Sequence, residues 1–332
     1  MKILIAGLGS IGRRHLRNLV ALGERDILLF RTHRSTLPEA ELAGYPVETE
    51  LAAALEHHPQ AVIVSNPTSL HLDVAIPAAE SGCHLFLEKP ISHSLERMDE
   101  LQTAVQQGGG QVLTGFQFRF HPGLQQVKYL LEEGAIGRPL SLRAHWGEYL
   151  PAWHPWEDYR QGYSARADLG GGVVLTLSHP LDYLRWLLGE VTALWAFTGR
   201  SSDLELQVED TAEIGLRFAS GPTGSLHLDY NQRPPAHHLE IVATQGTLRW
   251  DNADGGVRVY RAAAGEWEHH PAPPGFERND LFLAQMRHFL ALARGETAPA
   301  CSLEDGWRAL QLALAVHESQ SQGQLIRMDG YQ

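Results

Sequence analysis

Apolar and polar residues keep one rhythm along the first third of the chain and another after it. Short, almost wholly apolar runs at 2–6 (KILIA), 26–30 (DILLF), 61–65 (AVIVS), 84–88 (HLFLE) and 111–116 (QVLTGF) predict strands covered on both faces. Between them, amphipathic stretches at 13–23, 50–57, 71–82 and 94–110 predict helices, the third in spite of Pro77. Strand and helix in alternation imply right-handed crossovers and a parallel sheet. The alternation stops near residues 116–120. A helix is predicted at 122–133, a strand at 140–146, a tryptophan-rich stretch at 146–163 and a helix at 177–189. Segments at 192–197, 210–218, 224–230, 238–244, 246–250 and 256–260 then alternate polar with apolar, as in an antiparallel sheet with one solvated or interface face. Helices at 280–294 and 303–320 close the chain. The expected fold class is therefore an α/β domain at 1–118 with a parallel sheet, followed by an α+β domain at 119–332 with a large, mainly antiparallel sheet. The terminal helix 303–320 is placed to pack back on the first domain.

Composition narrows the function. A chain of 332 residues exceeds one typical core, in line with two domains. The formal charge of −12 argues against a nucleic-acid partner, which needs a basic face. No apolar run reaches the roughly 18 residues of a membrane span, and glycines interrupt the opening MKILIAGLGS where a signal peptide would stay apolar. Cys83 and Cys301 stand far apart in no CxxC pattern, and a reducing cytoplasm is the expected setting. The 18 histidines include no HExxH motif and no Cys/His cluster at zinc spacing, so no metal is expected.

Gly7-Leu8-Gly9-Ser10-Ile11-Gly12 reads G-x-G-x-x-G, weak by itself but here set between a predicted strand and a predicted helix, which is the Rossmann dinucleotide context. Gly7 permits the tight turn, Gly9 lets the backbone approach the pyrophosphate and Gly12 lets helix and strand pack closely. Ser10 and Ile11, at the start of the helix, present main-chain N–H groups to the phosphates. The second strand ends in Arg31, where NAD enzymes place a carboxylate, and Thr32, His33 and Arg34 follow, with Arg13 and Arg14 just beyond the glycines. Guanidinium forks suit a 2′-phosphate, so NADP is expected, with NAD the alternative.

In an open parallel sheet, ligands bind beyond the carboxyl ends of the strands. The third long strand ends on Ser65, Asn66 and Pro67, with His71 opening the next helix, and the fourth ends on Glu88-Lys89-Pro90. A carboxylate and an ammonium closing a buried strand belong beside the nicotinamide rather than in the core.

The stretches "GLGSIG", "SNPTSLHLDVAIPAAESGCHLFLEKP", "GFQFRFHPGLQQVKYLLEEGAIG" and "GGGVVLTLSHPLDYLRWLLG" together resemble the Gfo/Idh/MocA family of oxidoreductases over most of the chain. The resemblance implies that Lys89 is a catalytic or substrate-orienting residue and that His179 transfers the proton, with Asp182 three residues on and so on the same helical face. It also implies that Gln117 meets the nicotinamide and Arg119 the substrate, and that the second sheet carries a homodimer or homotetramer interface. Many relatives carry an aspartate four residues before the histidine. Here that position is Leu175, beside Thr176, which thins the catalytic set; Asp168 is a candidate replacement.

Around the aromatic stretch, Trp153 and Tyr163 offer flat apolar surfaces for a sugar ring, and Arg166 a donor for its hydroxyls, with Trp146, Trp156, Tyr159, His154 and Asp158 nearby. The combined expectation is an NAD(P)-dependent dehydrogenase or reductase acting on a secondary alcohol or ketone carbon of a sugar, inositol or nucleotide sugar. The alternatives are an NAD-dependent glycosidase of the same family and a dinucleotide-binding sensor without turnover.

Overall fold

The computed structural model describes residues 1–32 and 40–331. The chain forms two compact units, Met1–Gln117 with Glu277–Trp307, and Phe118–Phe276 with Arg308–Gln332.

In the first unit, six described strands form one sheet: β1 (Ile3–Ala6), β2 (Ile27–Phe30), β3 (Val47–Glu48), β4 (Ala61–Val64), β5 (His84–Leu87) and β6 (Val112–Thr114). Their order is β3-β2-β1-β4-β5-β6, and every pairing is parallel. All residues of β1 and β4 are buried, which explains why these strands read as continuous apolar runs rather than alternating ones. Helices α1 (Ser10–Ala21), α2 (Leu51–Glu56), α3 (His71–Glu80) and α4 (Met98–Gly108) make the crossovers. The chain leaves β1 toward β2 and returns to β4 on its other side, so the topological switch point lies between β1 and β4. Helix α4 begins four residues later than the pattern 94–110 suggests. Arg97 before it has φ +64°, and its guanidinium is tied to Asp73 and Glu100 at 2.7 and 2.8 Å.

The second unit holds nine described strands: β7 (Pro139–Gly147), β8 (Val191–Gly199), β9 (Thr211–Phe218), β10 (Thr223–Asp229), β11 (Ala236–Ala243), β12 (Gly246–Asp251), β13 (Val257–Arg261), β14 (Glu266–His270) and β15 (Ile326–Arg327). They run β14-β13-β12-β11-β7-β10-β9-β8-β15, antiparallel throughout except for the parallel pair β7 and β10. One face is buried through Leu142, Ala144, Trp146, Ile214, Leu226 and Trp250. The other carries Arg143, His145, Glu213, His227 and His238, which stay exposed or half-exposed. Helices α5 (Pro122–Glu132), α6 (Val173–Thr176) and α7 (His179–Leu188) belong here. The apolar alternation located β7 to β13; β14 escapes it because EWEHH is polar at almost every position, as suits a sheet edge.

One boundary differs from the sequence reading, which gave 119–332 to the second domain with only helix 303–320 placed to pack back on the first. Residues Glu277–Trp307 return to the first unit. They include α8 (Arg278–Ala293) and the first turn of α9 (Leu303–Gln322), while the rest of α9 counts with the second unit. The physical reason is that this segment finishes the first sheet and covers α1. The Cys301 carbonyl accepts from the Thr114 N–H at 2.9 Å, which satisfies the β6 edge. Asn279 on α8 bonds both Arg14 and Asn18 of α1, and the Arg14 guanidinium lies 4.5 Å from the centre of the Phe282 ring. Contiguity in sequence did not reveal a return in space.

Candidate functional site

The glycine loop shows three distinct needs. Gly7 has φ +93°, and a β-carbon there would come within 2.4 Å of the Asn66 main-chain nitrogen. A β-carbon on Gly12 would lie 2.0 Å from the Gly7 carbonyl oxygen. These two glycines let β1, β4 and α1 close on one another. Gly9 is different: a β-carbon there would meet nothing within 4 Å. At Gly9 the packing of the fold itself therefore makes no steric demand for glycine. Gly9 is also the N-cap of α1 and supplies no side-chain acceptor, which leaves the helix start to offer its N–H groups to an anion. Ser10 and Ile11 sit in that first turn.

The ends of β4 and β5 flank this loop. The Ser65 hydroxyl donates to the carbonyls of Ala6 and Gly7 at 3.1 and 2.9 Å, pinning β4 to the loop. His71, buried at the start of α3, holds the Asn66 carbonyl at 3.0 Å, and burial lowers its pKa so that the neutral ring is favoured. Pro67 starts the short turn between them. Glu88 is buried, with one carboxylate oxygen 2.7 Å from His15 Nε2 and the other accepting the Lys89 main-chain N–H at 3.1 Å. Lys89 follows half-buried, and the Lys89–Pro90 peptide is cis, which the sequence left undecided. Gln117 is buried where the first unit ends.

His15 was missed by the sequence reading. It lies on α1 one turn after Gly12, so its ring shares a helical face with the loop, and it packs 4.7 Å from Phe86 of β5. The signal was present as a histidine three residues beyond the last glycine, but nothing in the linear pattern says that Glu88 is its partner.

The basic patch is only partly as expected. Arg13 donates to the Leu8 carbonyl at 3.0 Å and faces Glu41 at 3.5 Å, and Arg14 is engaged with α8, so both serve the first unit internally. Arg31 is buried at the end of β2, where its main-chain N–H bonds the Glu48 carbonyl. Thr32 is exposed. His33 and Arg34 lie outside the described residues.

In the second unit, His179 is the first residue of α7 and is buried. Its ring centroid lies 5.1 Å from that of Phe118 and 5.4 Å from that of Trp146. Trp146 stacks flat on His237 at 4.4 Å, and the Tyr183 hydroxyl is 3.2 Å from His237 Nε2. Burial holds His237 well below its ordinary pKa, helped by the neighbouring His121, and burial pushes the Tyr183 phenol up. Both groups therefore stay neutral and act as hydrogen-bonded packing for the His179 surroundings. Asp182 does share the α7 face expected of it, but its carboxylate is gripped by Arg119 through two bonds of 2.9 and 2.7 Å, and both side chains are almost fully buried. That geometry orients α7 against the segment carrying Phe118.

Leu175 is buried in α6, and Thr176 beside it is buried too. The carboxylate that the sequence lacks at this spot has a neighbour from elsewhere: Glu209 Oε1 accepts the Val174 N–H at 3.1 Å and lies 3.2 Å from His317 Nε2. Gly172, with φ +108°, makes the room, since a β-carbon there would be 2.4 Å from that oxygen. Sequence reasoning missed Glu209 because it comes from the segment before β9. Asp168 instead pairs with Arg166 on the surface, and both are exposed.

The aromatic stretch folds as short 3-10 turns at Leu150–Ala152, Tyr159–Gln161, Tyr163–Ala165 and Ala167–Leu169. Trp153 is half-buried with its ring edge-on to Tyr230 at 5.6 Å, and its indole N–H meets no acceptor among the described residues. Tyr163 and Trp156 are exposed.

A parallel sheet of order 3-2-1-4-5-6 with an uncapped glycine loop at its switch point defines an NAD-binding oxidoreductase domain. The description "Oxidoreductase family, NAD-binding Rossmann fold" matches residues 1–116, and "GFO/IDH/MocA C-terminal domain" matches 124–249. The chain belongs to the Gfo/Idh/MocA oxidoreductase family. It is 27% identical to myo-inositol 2-dehydrogenase of Thermotoga maritima, over 99% of both chains. It is 28% identical to 1,5-anhydro-D-fructose reductase of Ensifer adhaerens, over 81% of this chain and 80% of that one. Among solved structures, the WlbA dehydrogenase from Bordetella pertussis in complex with NADH and UDP-GlcNAcA superposes with a TM-score of 0.81 at 24% identity, over 99% of this chain and 98% of that one. Among the described residues, no helix is long and apolar enough to cross a membrane.

Proposed function

We propose that the protein moves a hydride between NADP and a secondary carbinol or ketone carbon of a sugar, inositol or nucleotide-sugar substrate. The observation that carries this reading is the junction in the first unit where Glu88, held by His15 and by the Lys89 main chain, fixes Lys89 at the carboxyl end of β5. Relatives whose names specify an inositol and an anhydro-sugar support the polyhydroxylated class.

The dinucleotide supplies the redox chemistry, and the residues supply binding, charge and proton transfer. The loop Gly7–Gly12 holds the pyrophosphate on the start of α1, while Ser65, Asn66, Pro67, His71, Glu88 and Gln117 shape the nicotinamide side. Lys89 hydrogen-bonds the reacting oxygen and stabilises its developing negative charge. In oxidation, His179 takes the hydroxyl proton, and in reduction it returns it; an imidazole suits both directions near neutral pH. Asp182 and Arg119 position α7, and Trp153, Tyr163 and Arg166 contact the sugar. Arg31 supports NADP over NAD, because it stands where an acid would select the free 2′-hydroxyl. The open face of the second sheet, with exposed Trp195 and Phe197, supports a homodimer or homotetramer. Two buried cysteines, with the Cys83 thiol pushed up to about 11 by burial, suit a cytoplasmic setting.

The test is reduction of NADP and NAD against a panel of free sugars, inositols, sugar acids and nucleotide sugars. Turnover with at least one member, accompanied by stoichiometric ketone, supports the reading. Tight dinucleotide binding without turnover on any member would favour the sensor.

A further inference from the structure

Linear spacing shows no metal motif in this chain, but a sheet brings distant residues together by register. His238, His145, His227 and Glu213 lie on four neighbouring strands, each the register partner of the next. They stand on the open face of the second sheet, opposite the buried face that carries Trp146 and His237. Asp229, two residues after His227, shares that face.

The donors converge on one point. His145 Nε2 lies 3.3 Å and His227 Nε2 3.2 Å from the same Asp229 oxygen, Oδ2. All three ligand atoms fall within 4.8 Å of one another. Around a tetrahedral zinc-class ion with bonds of about 2.0–2.1 Å, ligand atoms stand about 3.3–3.4 Å apart. The two separations, hydrogen-bond contacts in the ion-free chain, are already close to that edge length.

The surroundings are those of a held site. The other Asp229 oxygen, Oδ1, accepts the main-chain N–H groups of Asn231 and Gln232 at 2.7 and 2.6 Å, so the carboxylate cannot swing away without losing both. Gly147 leaves the room it occupies, since a β-carbon there would be 2.1 Å from Oδ2. His227 lies between two carboxylates, with Nδ1 3.0 Å from Glu213 Oε1 and Nε2 3.2 Å from Asp229 Oδ2, so an ion bound by Nε2 would displace the proton on that nitrogen while Glu213 keeps the one on Nδ1. A carboxylate behind a histidine in this way is the usual outer partner of a metal-bound imidazole. In a single chain His145 and His227 are about a quarter and a third exposed, so an ion can enter before this face pairs with a second copy.

We propose that His145, His227 and Asp229 form a site for a divalent transition-metal ion of the zinc class, with Glu213 as its outer partner. Two imidazoles and one carboxylate suit zinc, nickel or copper better than calcium or magnesium. The fourth position takes water or His238, whose ring lies 5.2 Å from His145. The role is structural. β7 and β10 are the one parallel pair in this sheet, a pairing slightly weaker per residue than an antiparallel one, and the ion cross-links them. All three ligands come from one chain, so the stoichiometry is one ion per chain in any association state.

The full-length protein, stripped with chelator and dialysed, is titrated calorimetrically with Zn²⁺ at slightly alkaline pH, where protons do not compete for the imidazoles. The expected result is one saturable site per chain, a rise in melting temperature, and tetrahedral-type visible absorption with Co²⁺. His145→Ala and His227→Ala each remove the site while leaving dinucleotide affinity unchanged. Glu213→Gln keeps it but weakens it about 10–100-fold, the usual cost of losing an outer partner. His269→Ala, on the edge strand β14, leaves the Zn²⁺ affinity unchanged. Absence of saturable binding to the wild type would overturn the proposal, as would a site that survives the His145→Ala, His227→Ala double variant. Should the alanine variants misfold, Asp229→Asn, which keeps the Oδ1 acceptor, must still lower the affinity.

Discussion

The glycine loop of the first unit and the histidine-centred cluster of the second do related work by opposite means. The loop is made of absences. Gly7 and Gly12 vacate space that β4 and the loop's own backbone fill, while Gly9 vacates space that the protein leaves open. The cluster is made of bulk: Phe118, Trp146, Tyr183, His237 and Trp250 surround one another with ring centroids 4.4–6.4 Å apart, and His179 is held at its margin. A loop of this kind fails when an atom is added, whereas a packed cluster fails when an atom is removed or a charge is introduced.

The largest expected effect separates the glycines from each other. Gly9→Val abolishes dinucleotide binding and leaves the thermal melt near that of the wild type, because the new side chain enters ligand space and φ at this position is −72°, which valine adopts. Gly7→Val destabilises the first unit itself, because it adds both a clash and a positive φ. Calorimetry with the dinucleotide and a melt on each variant distinguish the two. Equal melting losses would mean that the loop is held together by all its glycines alike.

Next comes acid lability of the cluster. Burial lowers the pKa of His121 to about 4, and that of His237 well below normal. The unfolded chain binds protons at about pH 6.5 that the fold refuses, so this stability is complete above that value and declines as pH falls through the window toward 4. For His121, traversing the whole window costs on the order of 3 kcal/mol. The melting temperature should drop between pH 7 and pH 5, and less steeply in His237→Phe. A melt indifferent to pH over that range would show that the cluster does not exclude protons.

The smallest effect concerns cofactor choice. With Arg31 in contact with a 2′-phosphate, NADP binds roughly tenfold or more tightly than NAD, from a charged hydrogen bond worth about 1.5–3 kcal/mol, and Arg31→Asp reverses the order. Equal affinities for the wild type would remove Arg31 from cofactor selection.

How much of this was legible in the sequence follows from the same contrast. The glycine turn and the places of Lys89 just past a strand end and of His71 at a helix start were legible because their constraints are local. The parallel sheet could be found because strands buried on both faces leave unbroken apolar runs. The His15–Glu88 pair, the Arg119–Asp182 pair and Glu209 at the start of α6 could not, because each depends on a contact spanning 73, 63 and 35 residues respectively. Asp182 illustrates the limit well. Its helical face was read correctly from spacing, yet only the fold reveals that Arg119 occupies its carboxylate. The return of Glu277–Trp307 to the first unit was hidden for the same reason, since the acceptor for β6 arrives from residue 301.

The proposed role of His179 is to carry the proton in a hydride transfer for which Lys89 prepares the oxygen. It is tested most directly by measuring turnover and dinucleotide affinity on one preparation of His179→Ala, on whichever substrate the panel identifies, with Lys89→Ala alongside. Turnover should fall at least about a hundredfold in each variant, the lower end of what a general acid–base group contributes. In His179→Ala, dinucleotide affinity and the melt should stay near their wild-type values. Near-wild-type turnover in His179→Ala would contradict it.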